Sequence, residues 1–248
     1  MKLSKMIALS ATSCVLAGQA LAVTVFQGTD PVTAFGDPRP NSNQAASDFD
    51  TIAGSMNSIS VITWEDFADG DQPDLMPYDN VKVSVSGDDD SGTKISGTDT
   101  IDIGYNTTFG GSKFLQIFPQ FGRETTVTRF DFTEGISSFG FYLTGIQDDF
   151  EGQLSVHFTD STNTAQVFNL VKPTPANLKT GTMFWGFTDV ENALITSVEI
   201  WDEGDRTSGR DIYGIDDIRF TNCDVVPEPA SMAALGMGLL ALARKRRR

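Results

Sequence analysis

Histidine and cysteine, which often act as general bases and nucleophiles, are scarce in this chain. His157 is the single histidine, and Cys14 and Cys223 are the two cysteines among 248 residues. In the stretch GQLSVHFTD apolar and polar residues alternate, which predicts a strand with His157 on its polar face. The sequence contains no Gly-x-Ser-x-Gly, no His-Glu-x-x-His and no phosphate-binding loop. We therefore predict that the protein is not an enzyme.

Carboxylates are the other groups able to do chemistry, because two of them facing each other can hydrolyse a glycosidic bond. The chain has 33 Asp and Glu residues, spread over the predicted loops, and spacing distinguishes no pair among them. Hydrolysis of a polysaccharide is therefore the less favoured alternative.

Trp201 is the candidate ligand-binding residue. In LITSVEIW, Val198 and Ile200 alternate with Glu199 and Trp201, so the indole is predicted to face outward, beside the acidic segment 202–211. An exposed indole next to carboxylates can stack on a sugar ring while the carboxylates bind its hydroxyl groups. The alternative is that a neighbouring loop covers Trp201.

The segments that must position these residues are short and alternate between apolar and polar positions. Clusters of Gly, Pro, Asn and Asp separate them, and no stretch between the two chain ends shows a helical apolar period. We predict an all-β protein with a single antiparallel β-sandwich over residues 58–222. Residues 23–57 are polar and are predicted to form an N-terminal arm, with a long loop or irregular structure from residue 28.

Asp216 occupies an unfavourable position in the last predicted strand. In DIYGIDDIRF, simple alternation places it on one face with Gly214, Ile218 and Phe220. A buried carboxylate without a partner is costly. The sequence therefore predicts a partner for Asp216, which is a cation, an arginine or a set of backbone N–H groups.

The N-terminal segment 1–22 has the three parts of a secretory signal peptide. Two lysines precede an apolar stretch, and the small residues Ala20 and Ala22 follow it. We expect cleavage after Ala22 and export of the rest of the chain.

The C-terminal segment 223–248 contains an apolar run and a basic end. The run at 230–243 is about 14 residues, shorter than the ~20 that a membrane-spanning helix needs. It follows the extended tripeptide Pro227-Glu228-Pro229. Positive charge resists translocation, so the tail is predicted to stay on the cytoplasmic side. That tail consists of Arg244, Lys245, Arg246, Arg247 and Arg248.

These three features, in this order, resemble the PEP-CTERM sorting signal of Gram-negative bacteria. The resemblance implies that Pro227, Glu228 and Pro229 are recognised by an exosortase, an integral-membrane cysteine protease. It also implies a short hydrophobic helix, transient association with the inner membrane, and delivery to the cell surface or to the exopolysaccharide of a biofilm matrix. A plain C-terminal membrane tail is the alternative.

The closing strands of the domain, TMFWGFTDVENALITSVEIW and RDIYGIDDIRF, are similar to the end of jelly-roll carbohydrate-binding modules. This second resemblance implies a jelly-roll-like sandwich. It also implies one structural Ca²⁺ ion held by an acidic residue of WEDFADGD together with the last-strand aspartate. Asp66 and Asp216 are the first choices as ligands, and Glu65 is the alternate. Calcium prefers six to eight oxygen ligands, which carboxylates and loop carbonyls supply.

Charge excludes one class of partner. Without the signal peptide and the basic tail, 11 Lys and Arg residues remain against 33 acidic ones. Such a domain repels nucleic acid and anionic membranes, and it attracts divalent cations. We expect an exported, non-catalytic protein that binds carbohydrate or matrix, with extracellular polysaccharide as its partner. The alternative is a purely structural surface protein without a ligand.

Overall fold

The computed structural model describes residues 23–32, 34–75, 80–87, 92–119, 125–146, 154–160, 165–170, 180–189, 194–203 and 212–222. The predicted signal peptide, the predicted C-terminal helix and the basic tail lie outside these residues. Within the described ranges, no helix has both the length and the apolar character needed to cross a bilayer.

Eleven strands and one α-helix make up the described structure. In chain order they are β1 (Val23–Pro31), α1 (Pro40–Met56), β2 (Ile59–Ile62), β3 (Val81–Ser86), β4 (Lys94–Ser96), β5 (Phe114–Ile117), β6 (Thr126–Thr144), β7 (Leu154–Asp160), β8 (Ala165–Asn169), β9 (Gly181–Asp189), β10 (Ile195–Asp202) and β11 (Tyr213–Asn222). A single 3₁₀ turn covers Pro73–Leu75.

Strand β6 is 19 residues long and joins two layers. Its residues 126–132 pair with β3 and β10, and its residues 138–144 pair with β9 and β11. Sheet A therefore has the order β3-β6-β10-β7-β8. Sheet B has the order β1-β9-β6-β11-β5-β4, with β2 beside β5 on the same edge of β11. Every pairing is antiparallel. Because the chain passes repeatedly between the two sheets, the topology is of the jelly-roll type.

Aromatic side chains from both sheets fill the space between the layers. The rings of Phe158 and Phe187 stack with centroids 4.3 Å apart, and Phe132 lies 5.4 Å from Phe220. Trp185 and Trp64 are each only 1% exposed and belong to this core. The predicted all-β, jelly-roll-like antiparallel sandwich is therefore confirmed.

Residues 23–57 do not form an irregular arm, and this part of the prediction was wrong. Strand β1 pairs with β9 along its whole length, and α1 lies on the outer face of sheet B. The apolar face of α1 consists mostly of alanines, whose weak hydrophobicity hid the helical period. This face contains Ala45, Ala46, Phe49 and Ala53, all buried.

Phe49 and Asp30 hold α1 in place. Phe49 is fully buried, and a Cβ atom at Gly186 would lie 2.9 Å from its ring, so glycine allows the close approach of helix and sheet. The Asp30 carboxylate of β1 accepts hydrogen bonds from the backbone N–H groups of Asn41 (3.0 Å) and Ser42 (2.7 Å). Asp30 thus caps the helix from another element, where an N-cap residue would normally act.

Candidate functional site

Trp201 lies on the outer face of sheet A, as the alternation predicted. Its indole stacks on the imidazole of His157 with centroids 4.4 Å apart and an interplanar angle of 15°. Its Nε1–H donates to Glu199 Oε2 at 2.7 Å. We call Trp201, His157 and Glu199 the Trp201 platform. Two neighbouring contacts fix the ring, which is partly exposed.

The surroundings of the platform are polar and mutually paired. Arg129 bridges Glu199 and Asp131, and its Nη2 lies 2.7 Å from Asp131 Oδ1. Burial lowers the pKa of His157, while the charge of Glu199 acts in the opposite direction. The alternative that a neighbouring loop covers Trp201 stays open, because residues 204–211 lie outside the described part of the chain.

Asp216 is buried, but on a different face from the one predicted. Asp217 has a φ of 47°, and the pairing of β11 with β6 shifts register between Asp216 and Arg219. This bulge changes the phase of the strand. Ile215 and Ile218 both face the core, whereas Asp216 faces outward beneath the segment 105–108. The prediction that Asp216 shares a face with Ile218 was therefore wrong.

Backbone N–H groups and hydroxyls are the partners that Asp216 finds. Its Oδ2 accepts from the backbone N–H and the hydroxyl of Thr107 at 2.6 and 2.9 Å, and from the Thr108 N–H at 3.2 Å. Its Oδ1 is buried and accepts no hydrogen bond from the described residues. Burial and the neighbouring Asp217 raise the pKa of Asp216 to about 7.

The three predicted calcium ligands are only partly brought together. Glu65 Oε1 accepts from the backbone N–H groups of Ser112 and Lys113, both at 2.8 Å. Asp216 binds Thr107 of the same segment, 106–113, so the two carboxylates contact different parts of it. Asp66 is exposed. No cluster of three His, Cys, Asp or Glu side chains suited to a metal occurs within the described ranges.

One observation favours the calcium prediction and one opposes it. The buried Oδ1 of Asp216, without a hydrogen-bond donor among the described residues, is an oxygen that a cation would satisfy. The ammonium group of Lys113, however, already donates to the carbonyl oxygens of Glu65 and Phe67. Lys113 therefore occupies two carbonyl oxygens that could otherwise bind a calcium ion. The calcium site stays a prediction.

A cleft of about 270 Å³ opens where the segment between β1 and α1 meets the loop before β5. We call it the Arg39 cleft. Its lining includes Phe35, Arg39, Asn43, Asp99, Tyr105 and Asn106. The sequence interpretation missed this site because it assigned the first three residues to a polar arm. Phe35 could have indicated the site, because it is a large apolar residue in a segment rich in Gly, Pro and Asp.

Comparisons with known proteins give one match by sequence and several by structure. Residues 225–248 match the PEP-CTERM protein-sorting motif. No curated protein matches the chain.

Three solved structures illustrate the similarity of shape. The K2 cleaved adhesin domain of Lys-gingipain is 17% identical with a TM-score of 0.40, over 66% of this chain and 99% of that one. CBM27-1 of Caldicellulosiruptor saccharolyticus, solved with mannohexaose, is 13% identical with a TM-score of 0.36, over 66% and 97%. An exo-β-agarase is 13% identical with a TM-score of 0.39, over 66% and 25%. TM-scores this low do not support a function.

The sequence match, in contrast, bears directly on sorting. It lies at the C-terminal end and covers the tripeptide, the apolar run and the basic tail. This chain is thus a β-rich protein that carries the PEP-CTERM sorting motif at residues 225–248, which marks it as an exported, exosortase-sorted protein directed through the membrane to the cell surface.

Proposed function

We propose that the sandwich is a non-catalytic domain that binds extracellular polysaccharide at the surface or in the matrix of a Gram-negative bacterium. The observation that carries this proposal is the Trp201 platform. It consists of a partly exposed indole beside a carboxylate and an imidazole on the outer face of sheet A.

The fixed orientation of Trp201 favours binding. A flexible side chain loses conformational entropy when a ligand orders it, at a cost of about 0.5–1.5 kcal/mol per side chain. The stacking of Trp201 on His157 and its hydrogen bond to Glu199 reduce this loss, because the ring is already held. Sugar rings present C–H groups that stack on an indole and hydroxyl groups that bind polar neighbours.

The same face argues against catalysis. Ser155 Oγ lies 2.8 Å from His157 Nε2, which is the spacing of a nucleophile and its base. Strand β7 is, however, paired on both sides, with β8 and β10. Its backbone N–H groups are engaged in strand pairing instead of being available to stabilise an oxyanion. Strand β7 therefore offers this pair no free backbone N–H group of its own, and an oxyanion site is a second component that acyl-transfer chemistry requires.

Binding of polysaccharide by the exported protein and by two variants tests the proposal. Trp201→Ala should weaken binding at least ~30-fold, the loss typical of a central tryptophan. Val167→Ala is the matched control, because Val167 is an apolar residue on β8, in the same sheet, and is 55% exposed. Equal affinities of the three proteins would contradict the role of Trp201. Absence of binding by the unaltered protein would favour the alternative of a purely structural surface protein.

Sorting makes a separate prediction about the C-terminus. In a host with an exosortase, the released protein should lack the residues that follow the Pro227-Glu228-Pro229 region. The intact mass of the extracellular protein measures this. Extracellular protein that still carries Arg248 would contradict cleavage at this motif.

A further inference from the structure

The Arg39 cleft contains a cationic group whose hydrogen bonds are incomplete. Nη1 of Arg39 is buried and has no hydrogen-bond partner among the described residues. The guanidinium carbon lies 5.9 Å from the centroid of the Tyr142 ring, which covers part of the charge but accepts no strong hydrogen bond. A buried donor of this kind costs free energy unless a ligand supplies an acceptor.

The rim of the cleft carries an exposed aromatic ring. Phe35 is 54% exposed, and its ring meets Tyr105 edge to face with centroids 6.1 Å apart. Tyr105 is buried, and its hydroxyl is hydrogen bonded to the Thr182 hydroxyl, so it is a fixed support. Burial raises the pKa of Tyr105 to about 12, so its hydroxyl stays neutral. An exposed ring on a fixed support can stack against a sugar.

Two other side chains that line the cleft, Asp99 and Asn43, can bind hydroxyl groups. Asp99 uses Oδ1 to accept from the Asn106 backbone N–H at 2.9 Å. Asn43 uses Oδ1 to accept from the Tyr142 hydroxyl at 3.1 Å. Each side chain is thereby oriented and retains a second polar atom, an oxygen in Asp99 and an amide nitrogen in Asn43.

We infer that the Arg39 cleft binds a single carboxylated sugar, a hexuronate unit of an acidic polysaccharide, through pairing of its carboxylate with Arg39, while Phe35 stacks on the ring. The inference rests on the proposed carbohydrate-binding function for the class of ligand, but it uses a site separate from the Trp201 platform. A volume of about 270 Å³ suits one sugar ring. The planar guanidinium matches the two oxygens of a carboxylate.

The net negative charge of the domain gives uronate binding in this cleft a different salt dependence from the attachment of an anion to surface lysines. Acidic residues outnumber basic ones about threefold between the two terminal segments, so the domain as a whole repels an acidic polysaccharide. Salt screens this long-range repulsion, since the Debye length is ~8 Å at physiological ionic strength, but it screens a buried contact much less. Affinity for uronate should therefore hold or rise between about 20 and 150 mM salt.

Oligomers of glucuronate, galacturonate and mannuronate, each beside its neutral counterpart, test the inference with the full exported protein. At least one uronate should bind about 10- to 100-fold more tightly than its counterpart, which is the range for a hydrogen bond to a charged group. Arg39→Gln should remove this difference. Lys82→Gln, which removes one positive charge on sheet A, should preserve it. Phe35→Ala should weaken binding of both members of a pair without lowering the melting temperature, because the ring is largely exposed.

The outcomes separate this inference from the proposed function. Equal binding of uronates and neutral sugars, or no effect of Arg39→Gln in a folded variant, would overturn the inference. Competition by acetate at matched concentration would also overturn it, because the site would then select an anion and not a sugar. If Trp201→Ala abolishes binding of neutral polysaccharide while no uronate binds, the proposed function stands and this inference fails.

Discussion

The Trp201 platform and the Arg39 cleft both combine an aromatic ring with charged groups, but they differ in how their polar atoms are satisfied. On the platform the indole N–H is bound by Glu199, and Glu199 is bound by Arg129. In the cleft, Nη1 of Arg39 is buried without such a partner among the described residues. A surface with paired groups tolerates many ligands, whereas a buried unpaired donor penalises any ligand that lacks the matching acceptor. If both proposed sites bind sugars, we expect the cleft to discriminate among ligands more strongly than the platform.

The two regions also differ in what supports them. The platform lies on paired strands of sheet A, so its position depends on the sheet itself. The cleft lies where the approach to α1 meets a loop, so it depends on the docking of that helix on sheet B. Changes to the helix should therefore damage the cleft and leave the platform intact.

Phe49→Ala should have the largest effect. Phe49 is fully buried between α1 and sheet B, and removing a buried phenylalanine costs about 3–5 kcal/mol of unfolding free energy. For a domain of this size the melting temperature should fall by roughly 6–20 °C. Binding of uronate should be lost with the cleft. The Ile52→Ala variant is the control, because Ile52 lies on the same helix and is 41% exposed. Equal losses in the two variants would contradict the docking of α1.

Removal of calcium should have the second-largest effect on stability, and this effect should arise in sheet B only. If Asp66 and Asp216 hold an ion that the unfolded chain does not bind, calcium at 100 times its Kd stabilises the fold by about 2.7 kcal/mol. Chelation should then lower the melting temperature, and magnesium at matched ionic strength controls for screening. Asp216→Asn should destabilise the protein and abolish the part specific to calcium, because the amide cannot supply the charge. Equal melting temperatures in calcium, magnesium and chelator would show that the chain's own donors suffice for Asp216.

Asp30→Asn should have a smaller effect on stability, at the start of α1 on sheet B. The Asp30 carboxylate is 1% exposed and accepts from two backbone N–H groups and two side chains at the start of α1. Asparagine keeps one accepting oxygen and replaces the other by an NH2 group that cannot accept, so the cost should lie within the about 0.5–2 kcal/mol of a lost helix cap. Asp48→Asn is the control for the lost charge, because Asp48 is exposed in the same helix and should change stability by less than ~0.5 kcal/mol. Equal denaturation midpoints for the two variants would rule out the capping role.

The smallest effect concerns the platform and is measured on the single histidine by NMR. Burial lowers the pKa of His157, and the stacked indole contributes to that burial. Trp201→Ala should therefore raise the pKa of His157 toward its ordinary value. Glu199→Gln should lower it further, because it removes a charge that favours the imidazolium. Identical titration curves in all three proteins would mean that the stack is not formed in solution.

The lowered pKa of His157 should also make the stability of the folded protein depend on pH. A histidine whose pKa is lower in the folded state adds stability above the pKa of the unfolded chain, near 6.5. That stability is lost as the pH falls through the lower, folded value. The unaltered protein should therefore lose more of its stability on acidification below pH ~6.5 than Trp201→Ala does.

Much of this architecture followed from the sequence, because strand alternation is a local property. The backbone pleat turns successive side chains to opposite faces, so the outward positions of Trp201 and His157 could be predicted from their neighbours alone. The sorting motif was likewise contiguous, at residues 225–248. Features of this kind need no knowledge of distant contacts.

Tertiary structure decided the features that depend on residues far apart in the chain. The face of Asp216 changed because a bulge at Asp217 shifts the strand against β6, and alternation assumes that no such bulge occurs. Helix α1 is held where its own Phe49 packs against Gly186 of β9 and where Asp30 of β1 caps its first turn, and neither Gly186 nor Asp30 lies within the helical segment. The Arg39 cleft joins residues about 60 positions apart, whose proximity arises only when the helix docks on sheet B.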